Sequence, residues 1–114
     1  MNWKNLETED ELQEILKRSS EKSQAIYKHS TRCSVSRMVK KNLEIDWNIS
    51  DEKMDVYFLD LLAHRDVSNK IARLLQVQHE SPQLIVIKDG KAIYHASHNY
   101  IDATEAAKAI AEMD

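Results

Sequence analysis

The order of its apolar runs constrains this chain more than any other feature. Short runs rich in β-formers alternate with stretches whose apolar residues recur every three or four positions. A run that is apolar throughout suits a buried strand, whereas the three-to-four spacing places apolar groups on one side of a helix. The strand candidates are Ala25-Ile26-Tyr27, Val56-Tyr57-Phe58-Leu59, Leu84-Ile85-Val86-Ile87 and Ala92-Ile93-Tyr94. The helix candidates carry Leu12, Ile15 and Leu16, then Val35, Met38, Val39 and Leu43, then Val67, Ile71, Leu74 and Leu75, and last Ala106, Ile110 and Met113. The predicted order is helix, strand, helix, strand, helix, strand, strand, helix.

Local signals place the boundaries. Thr8-Glu9-Asp10-Glu11 reads as a capping box, with Thr8 as N-cap and Glu11 reaching back to it. Lys17 and Arg18 suit the negative end of that helix. Gln24 to His29 is a strand, and His29-Ser30-Thr31-Arg32 is a polar loop. Leu43, Ile45, Trp47 and Ile49 alternate as a strand would, but Val39, Leu43 and Trp47 lie four apart. The helix opened at Cys33 is therefore continued to about Trp47. Ser50-Asp51-Glu52-Lys53 connects to a strand that runs towards Leu61 and Leu62. Asp60, in that otherwise apolar strand, marks either the strand's end or a buried polar contact. Asp66 is the predicted N-cap of the next helix. Asp89-Gly90 is the favoured pair for a tight hairpin, because both central residues need positive φ. Asp102 with Glu105 caps the last helix.

Two strands joined by a helix form a parallel pair with a right-handed crossover. The last two strands form an antiparallel hairpin. The expected α/β architecture is one domain over residues 1–114, with a mixed four-stranded sheet and helices on both faces. Leu84 to Ile87, apolar throughout, is expected near its centre. This pattern matches the thioredoxin fold.

Composition removes several function classes. The formal charge of −3 argues against general binding to nucleic acid, which needs concentrated Lys and Arg. No apolar stretch approaches the ~20 residues that span a bilayer. Met1-Asn2-Trp3-Lys4-Asn5-Leu6 lacks the apolar run of a signal peptide, so a cytoplasmic location is expected. The chain has one cysteine, which rules out an internal disulfide.

That cysteine, Cys33, falls where the first strand ends and its helix begins. The N–H groups of a first helical turn have no helical partners and carry partial positive charge. A thiolate there is stabilised, so the thiol pKa is expected to fall, and the thiolate is the nucleophile of disulfide exchange. Lys28, His29, Arg32 and Arg37 are close in sequence and add positive potential. Ser36 could donate its hydroxyl to the same sulfur. A packed, inert cysteine would sit among apolar neighbours, but Arg32 and Ser34 are polar. The chain's one proline, in Ser81-Pro82, directly precedes an apolar strand.

These residues resemble the YtxJ-like monothiol bacilliredoxins of the bacillithiol system. The resemblance is carried by Lys28-His29-Ser30-Thr31-Arg32-Cys33-Ser34-Val35-Ser36, by Tyr57 to Leu62 with His64 to Asn69, and by His79-Glu80-Ser81-Pro82-Gln83. Lys88 to Lys91 and His95 to His98 extend it. The resemblance implies a thioredoxin fold in which Pro82 is cis and lies beside Cys33. The backbone of Ser81 would then pair with an incoming peptide or thiol. It implies that Cys33 attacks a protein thiol capped by bacillithiol. The target protein leaves reduced, and Cys33 keeps the bacillithiol as a mixed disulfide. Bacillithiol itself, or another redoxin, resets the thiol. No bound cofactor is implied; bacillithiol is a co-substrate. Ser36 stands where a dithiol enzyme has its resolving Cys. Arg32, Ser34, Ser36, Ser81 and Pro82 are the residues expected to stabilise the thiolate or bind substrate. Many relatives carry Pro where this chain has Ser34, a change that bears on the thiol pKa.

Rival readings leave distinct signatures. A monothiol glutaredoxin-like protein would carry Cys-Gly-Phe-Ser, whose Gly and Phe are absent. A non-catalytic binding module with this fold would have no need of a fast thiol. His29, His64, His79, His95 and His98 match no familiar zinc spacing, and solvated or hydrogen-bonded histidines account for them better. His79 is a candidate modulator of Cys33.

Overall fold

The computed structural model describes residues 1–113, the side chain of Met113 excepted. In chain order the elements are β1 (Trp3–Asn5), α1 (Glu9–Arg18), β2 (Ser23–His29), α2 (Ser34–Asp46), β3 (Met54–Asp60), α3 (Arg65–Leu75), β4 (Gln83–Lys88), β5 (Lys91–Ser97), a short 3-10 turn (His98–Tyr100) and α4 (Ala103–Met113). The predicted order of the longer elements holds. Met113 was expected on the inner face of α4; its side chain lies outside the described residues.

Among the described residues the sheet has five strands, in the order β1-β3-β2-β4-β5. β2 runs parallel to β3, and β4 and β5 form the antiparallel hairpin. The expected four strands are corrected by β1, which pairs with β3 along Trp3, Lys4 and Asn5. Three residues are too few for alternation to show in sequence. Trp3 fixes the strand instead: its indole N–H donates to Glu44 at 2.8 Å, and its ring packs edge-on against Phe58.

Side chains alternate across each strand, and two apolar layers result. Ile26, Tyr57, Leu59, Ile85 and Ile87 pack with Leu12, Ile15, Val67 and Ile71 of α1 and α3. Ala25, Tyr27, Val56, Leu84 and Val86 pack with Val39 and Leu43 of α2 and Ala106 and Ile110 of α4. Each large aliphatic side chain buried this way contributes roughly 1.5–3 kcal/mol. β4 has a neighbour on either side, although β2 is the middle strand.

The expected caps are met at two helices and corrected at a third. Thr8 and Glu11 form the capping box. Asp102 accepts from the N–H groups of Thr104 and Glu105 at 2.7 and 3.2 Å. The N-cap of α3 is His64, with Asp66 inside the first turn. There Asp66 still suits the positive helix end, so its signal was displaced by two residues. β3 stops at Asp60, short of Leu61 and Leu62, because the Asp60 carboxylate turns back to accept from the Leu62 N–H at 3.2 Å. At the hairpin, Asp89 and Gly90 have φ of 52° and 73°, as a two-residue turn of that hand requires. The turn is moored to α1: the Asp89 and Gly90 N–H groups donate to the Ser19 carbonyl and hydroxyl, each at 2.8 Å. No helix among the described residues is long and apolar enough to cross a membrane.

Candidate functional site

β2 runs out at His29, and a three-residue loop delivers the chain to Cys33. The Cys33 N–H closes a turn onto the Ser30 carbonyl at 3.1 Å. Cys33 is the N-cap of α2, with extended backbone, so its side chain lies against the open end of the helix. The thiol is free and partly exposed.

This setting holds the Cys33 thiol below its ordinary pKa. The largest cause is the Ser36 backbone N–H, and partial burial opposes it. The Val35 N–H, the Ser36 hydroxyl and the Arg37 charge add to the lowering. The resting side chain makes no cap hydrogen bond. These donors therefore favour the thiolate, a far better acceptor than the thiol. Of the four basic residues close in sequence, Arg37 is the one whose charge acts on the sulfur. Its guanidinium also donates to the Thr31 carbonyl at 3.2 Å, which braces the loop. Arg32 and Ser34 are exposed, and Ser34 opens the helix.

Ser36 is fully buried and ties the loop to the helix. Its hydroxyl accepts from the Ser30 N–H at 3.4 Å, and its carbonyl accepts from the Tyr27 hydroxyl at 2.7 Å. Tyr27 is a site residue that the sequence reading missed. Burial pushes its phenol up, and the nearby Cys33 and Glu44 charges push it further. Tyr27 therefore stays a neutral donor under the first turn of α2. Beside it, His29 is buried and packs 5.0 Å from the Phe58 ring, centre to centre. Burial, then the Lys40 charge, lowers its pKa, so it supplies no positive charge at neutral pH.

The Ser81–Pro82 peptide bond is cis. Lys28 of β2 stands opposite Gln83 of β4, so Pro82 sits at the edge of the sheet from which β2 leaves towards Cys33. Pro82 is buried, and its carbonyl accepts from the His98 N–H at 3.0 Å. The Ser81 hydroxyl oxygen is buried without a partner.

Lys28 and His79 do something other than expected. Lys28 has no exposed surface, and burial lowers its pKa to about 8. Its ammonium group meets His79 Nδ1 at 3.1 Å and the Ser68 carbonyl at 3.2 Å. It thus projects to the α3 side of the sheet, away from α2, which corrects its expected role beside the thiol. Among the described residues, no group of three or more His, Cys, Asp or Glu side chains could hold a metal ion.

A family model described as monothiol bacilliredoxin BrxC matches residues 4–106. Among solved structures, the chain is similar to one described as a candidate oxidoreductase with a thioredoxin fold. The two share 26% identity with a TM-score of 0.79, covering 94% of this chain and 92% of that one. It is also similar to the thioredoxin of Malassezia sympodialis, at 15% identity and a TM-score of 0.74 over 97% of this chain and 90% of that one. The thioredoxin of Fasciola hepatica is similar at 17% identity and a TM-score of 0.70, over 97% of this chain and 99% of that one. The fold is the thioredoxin fold.

Proposed function

The chain belongs to the monothiol bacilliredoxin family, and on that premise we propose that Cys33 removes bacillithiol from S-bacillithiolated proteins in the cytoplasm. The observation that carries this reading is the partly exposed Cys33 at the open end of α2, with the Ser36 and Val35 N–H groups favouring its thiolate.

The Cys33 thiolate attacks the bacillithiol sulfur of the mixed disulfide. A new bond joins Cys33 to bacillithiol as the old disulfide breaks. The target protein leaves as a thiolate and takes a proton from solvent. Both products then hold the same number of electrons as the reactants, so no external oxidant or reductant enters. A second thiol, bacillithiol or another redoxin, next attacks the bacillithiol sulfur carried on Cys33. Cys33 leaves as a thiolate, favoured by the same donors, because a leaving group of lower pKa departs faster.

The remaining candidates take supporting roles. Ser36 occupies the place of a resolving thiol, which leaves the outside thiol to finish the cycle. The Ser81 backbone, beside cis-Pro82, pairs with the incoming chain. Arg32 and Ser34, both exposed beside the thiol, meet the substrate rather than the sulfur.

The test compares one protein carrying either bacillithiol or glutathione on a single cysteine. Release of the bacillithiol-capped form is expected to be the faster, and to vanish in Cys33→Ser. Equal rates on both caps would remove bacillithiol as the preferred group, and release by Cys33→Ser would remove the mechanism.

A further inference from the structure

The exchange chemistry makes no use of Lys28, although burying an ammonium group costs several kcal/mol unless partners compensate it. Among the described residues no carboxylate pairs with it. Its partners are the Ser68 carbonyl of α3 and Nδ1 of His79. An ammonium only donates, so Nδ1 carries the lone pair and His79 is neutral. The Ser68 hydroxyl lies 3.3 Å from the same Nδ1. His79 is exposed as a residue while its Nδ1 contacts are part-buried, so these contacts, rather than a packed core, hold it.

His79 belongs to the loop that carries Ser81 and Pro82. That loop is tied at several points. Gln83 Nε2 donates across its neck to the Gln78 carbonyl at 3.0 Å. The His98 N–H holds the Pro82 carbonyl. Gln83, the residue after Pro82, lies opposite Lys28 in the sheet. Lys28 thus stands opposite Gln83 at the start of β4 and reaches the loop itself through its side chain on His79.

We propose that His79, gripped by the buried Lys28 ammonium, is the positioning residue that sets the Ser81–Pro82 backbone for the incoming disulfide. The proposal rests on the exchange reading above. It leaves the thiol itself untouched, because the groups that favour the Cys33 thiolate lie on α2. The grip requires an unprotonated Nδ1. The charged and polar groups facing His79 are Lys28 on β2, Arg65 and Ser68 on α3, and Glu80 on its own loop. Burial and the Lys28 and Arg65 charges favour the neutral ring, and Glu80 opposes them. The grip therefore holds at neutral pH and is lost on acidification, below the ordinary histidine value of 6.5.

The experiment measures two rates on the full chain at each pH. One is release of bacillithiol from a capped protein, and the other is alkylation of Cys33 by iodoacetamide. Their ratio cancels the thiolate fraction. The ratio is expected to fall on the order of tenfold in His79→Ala and in Lys28→Met, as a misplaced docking element would cause. His79→Asn keeps an acceptor near the Nδ1 position and is expected to keep the wild-type ratio at pH 7. With acid, the ratio should fall in the wild type and stay flat in His79→Asn. Amide hydrogen exchange at His98, whose N–H holds Pro82, gives a readout that needs no substrate. It should quicken in His79→Ala and stay slow in His79→Asn. A wild-type protein that releases no bacillithiol would sink the exchange reading alone, with His98 exchange still deciding the grip. An unchanged ratio or unchanged His98 exchange in His79→Ala would overturn the grip. So would an acid fall shared by His79→Asn.

Discussion

At the scale of single residues, two groups at one end of the sheet have shifted protonation for opposite reasons. The Cys33 pKa is lowered towards the thiolate by the N–H groups of the first turn of α2, and Lys28 is pushed towards neutrality by burial. Removing the Ser36 hydroxyl tests the first. In Ser36→Ala the backbone N–H, the largest cause, stays, so the Cys33 pKa should rise but remain below its ordinary value. Alkylation rate against pH reads this directly, and no rise would show the hydroxyl to be idle. The position of Cys33 was legible in the sequence because a lone cysteine stood between polar residues at a strand-to-helix junction. The directions of Tyr27 and Lys28 were not. All seven residues of β2 are buried, so no alternation of polar and apolar residues marks which face each one takes. Register with β3 and β4 decides that, and register is a long-range property.

At the scale of elements, local rules succeeded where the chemistry is local. The Thr8 capping box and the Asp89-Gly90 turn each need only a few adjacent residues, and both form as read. β1 failed that test because its three residues are held by pairing with β3 and by Trp3 on Glu44, neither of which leaves a local pattern. Lys28 supplies the sharpest prediction at this scale. Its pKa is about 8 when folded against an ordinary 10.5, so the unfolded chain binds the proton more tightly. The cost of burying the charge is full below pH 8 and is relieved as pH rises towards 10.5. Lys28→Met should therefore raise stability at pH 7 by ~1–3 kcal/mol. That is a Tm increase of about 4 °C or more for a domain of this size. The gain over wild type should shrink above pH 8. A stabilised variant with impaired exchange would separate the grip on His79 from ordinary packing. A lower Tm for Lys28→Met at pH 7 would show that the ammonium is a net stabiliser.

At the scale of the whole molecule, the sheet joins segments that are distant in sequence. β2 pairs with β3 on one side and β4 on the other, and its end leads into the thiol loop. The site is thus assembled by the same contacts that hold the core, and it should not survive their loss. Residues 1–114 are expected to unfold as one cooperative unit. Trp3 and Trp47 both pack on the α2 and α4 side, whereas far-ultraviolet circular dichroism reports all the helices. The two signals should give a single urea midpoint, coincident with loss of rapid Cys33 alkylation. Separate midpoints would divide the chain into units that fold independently. The layered arrangement was legible in advance because apolar runs of two distinct periods alternate along the chain. The fifth strand and the loop fastened by Lys28 depend on contacts across the sheet that no local period encodes.

In the proposed exchange Cys33 itself takes the small thiol from its target. Intact-mass spectrometry after one turnover tests it most directly, with reduced protein mixed with an equal amount of S-bacillithiolated target and quenched by acid. One bacillithiol is expected at Cys33 for each target released, with no gain in Cys33→Ser. A target freed without any adduct on Cys33, or an intact target beside an unmodified Cys33, would contradict it.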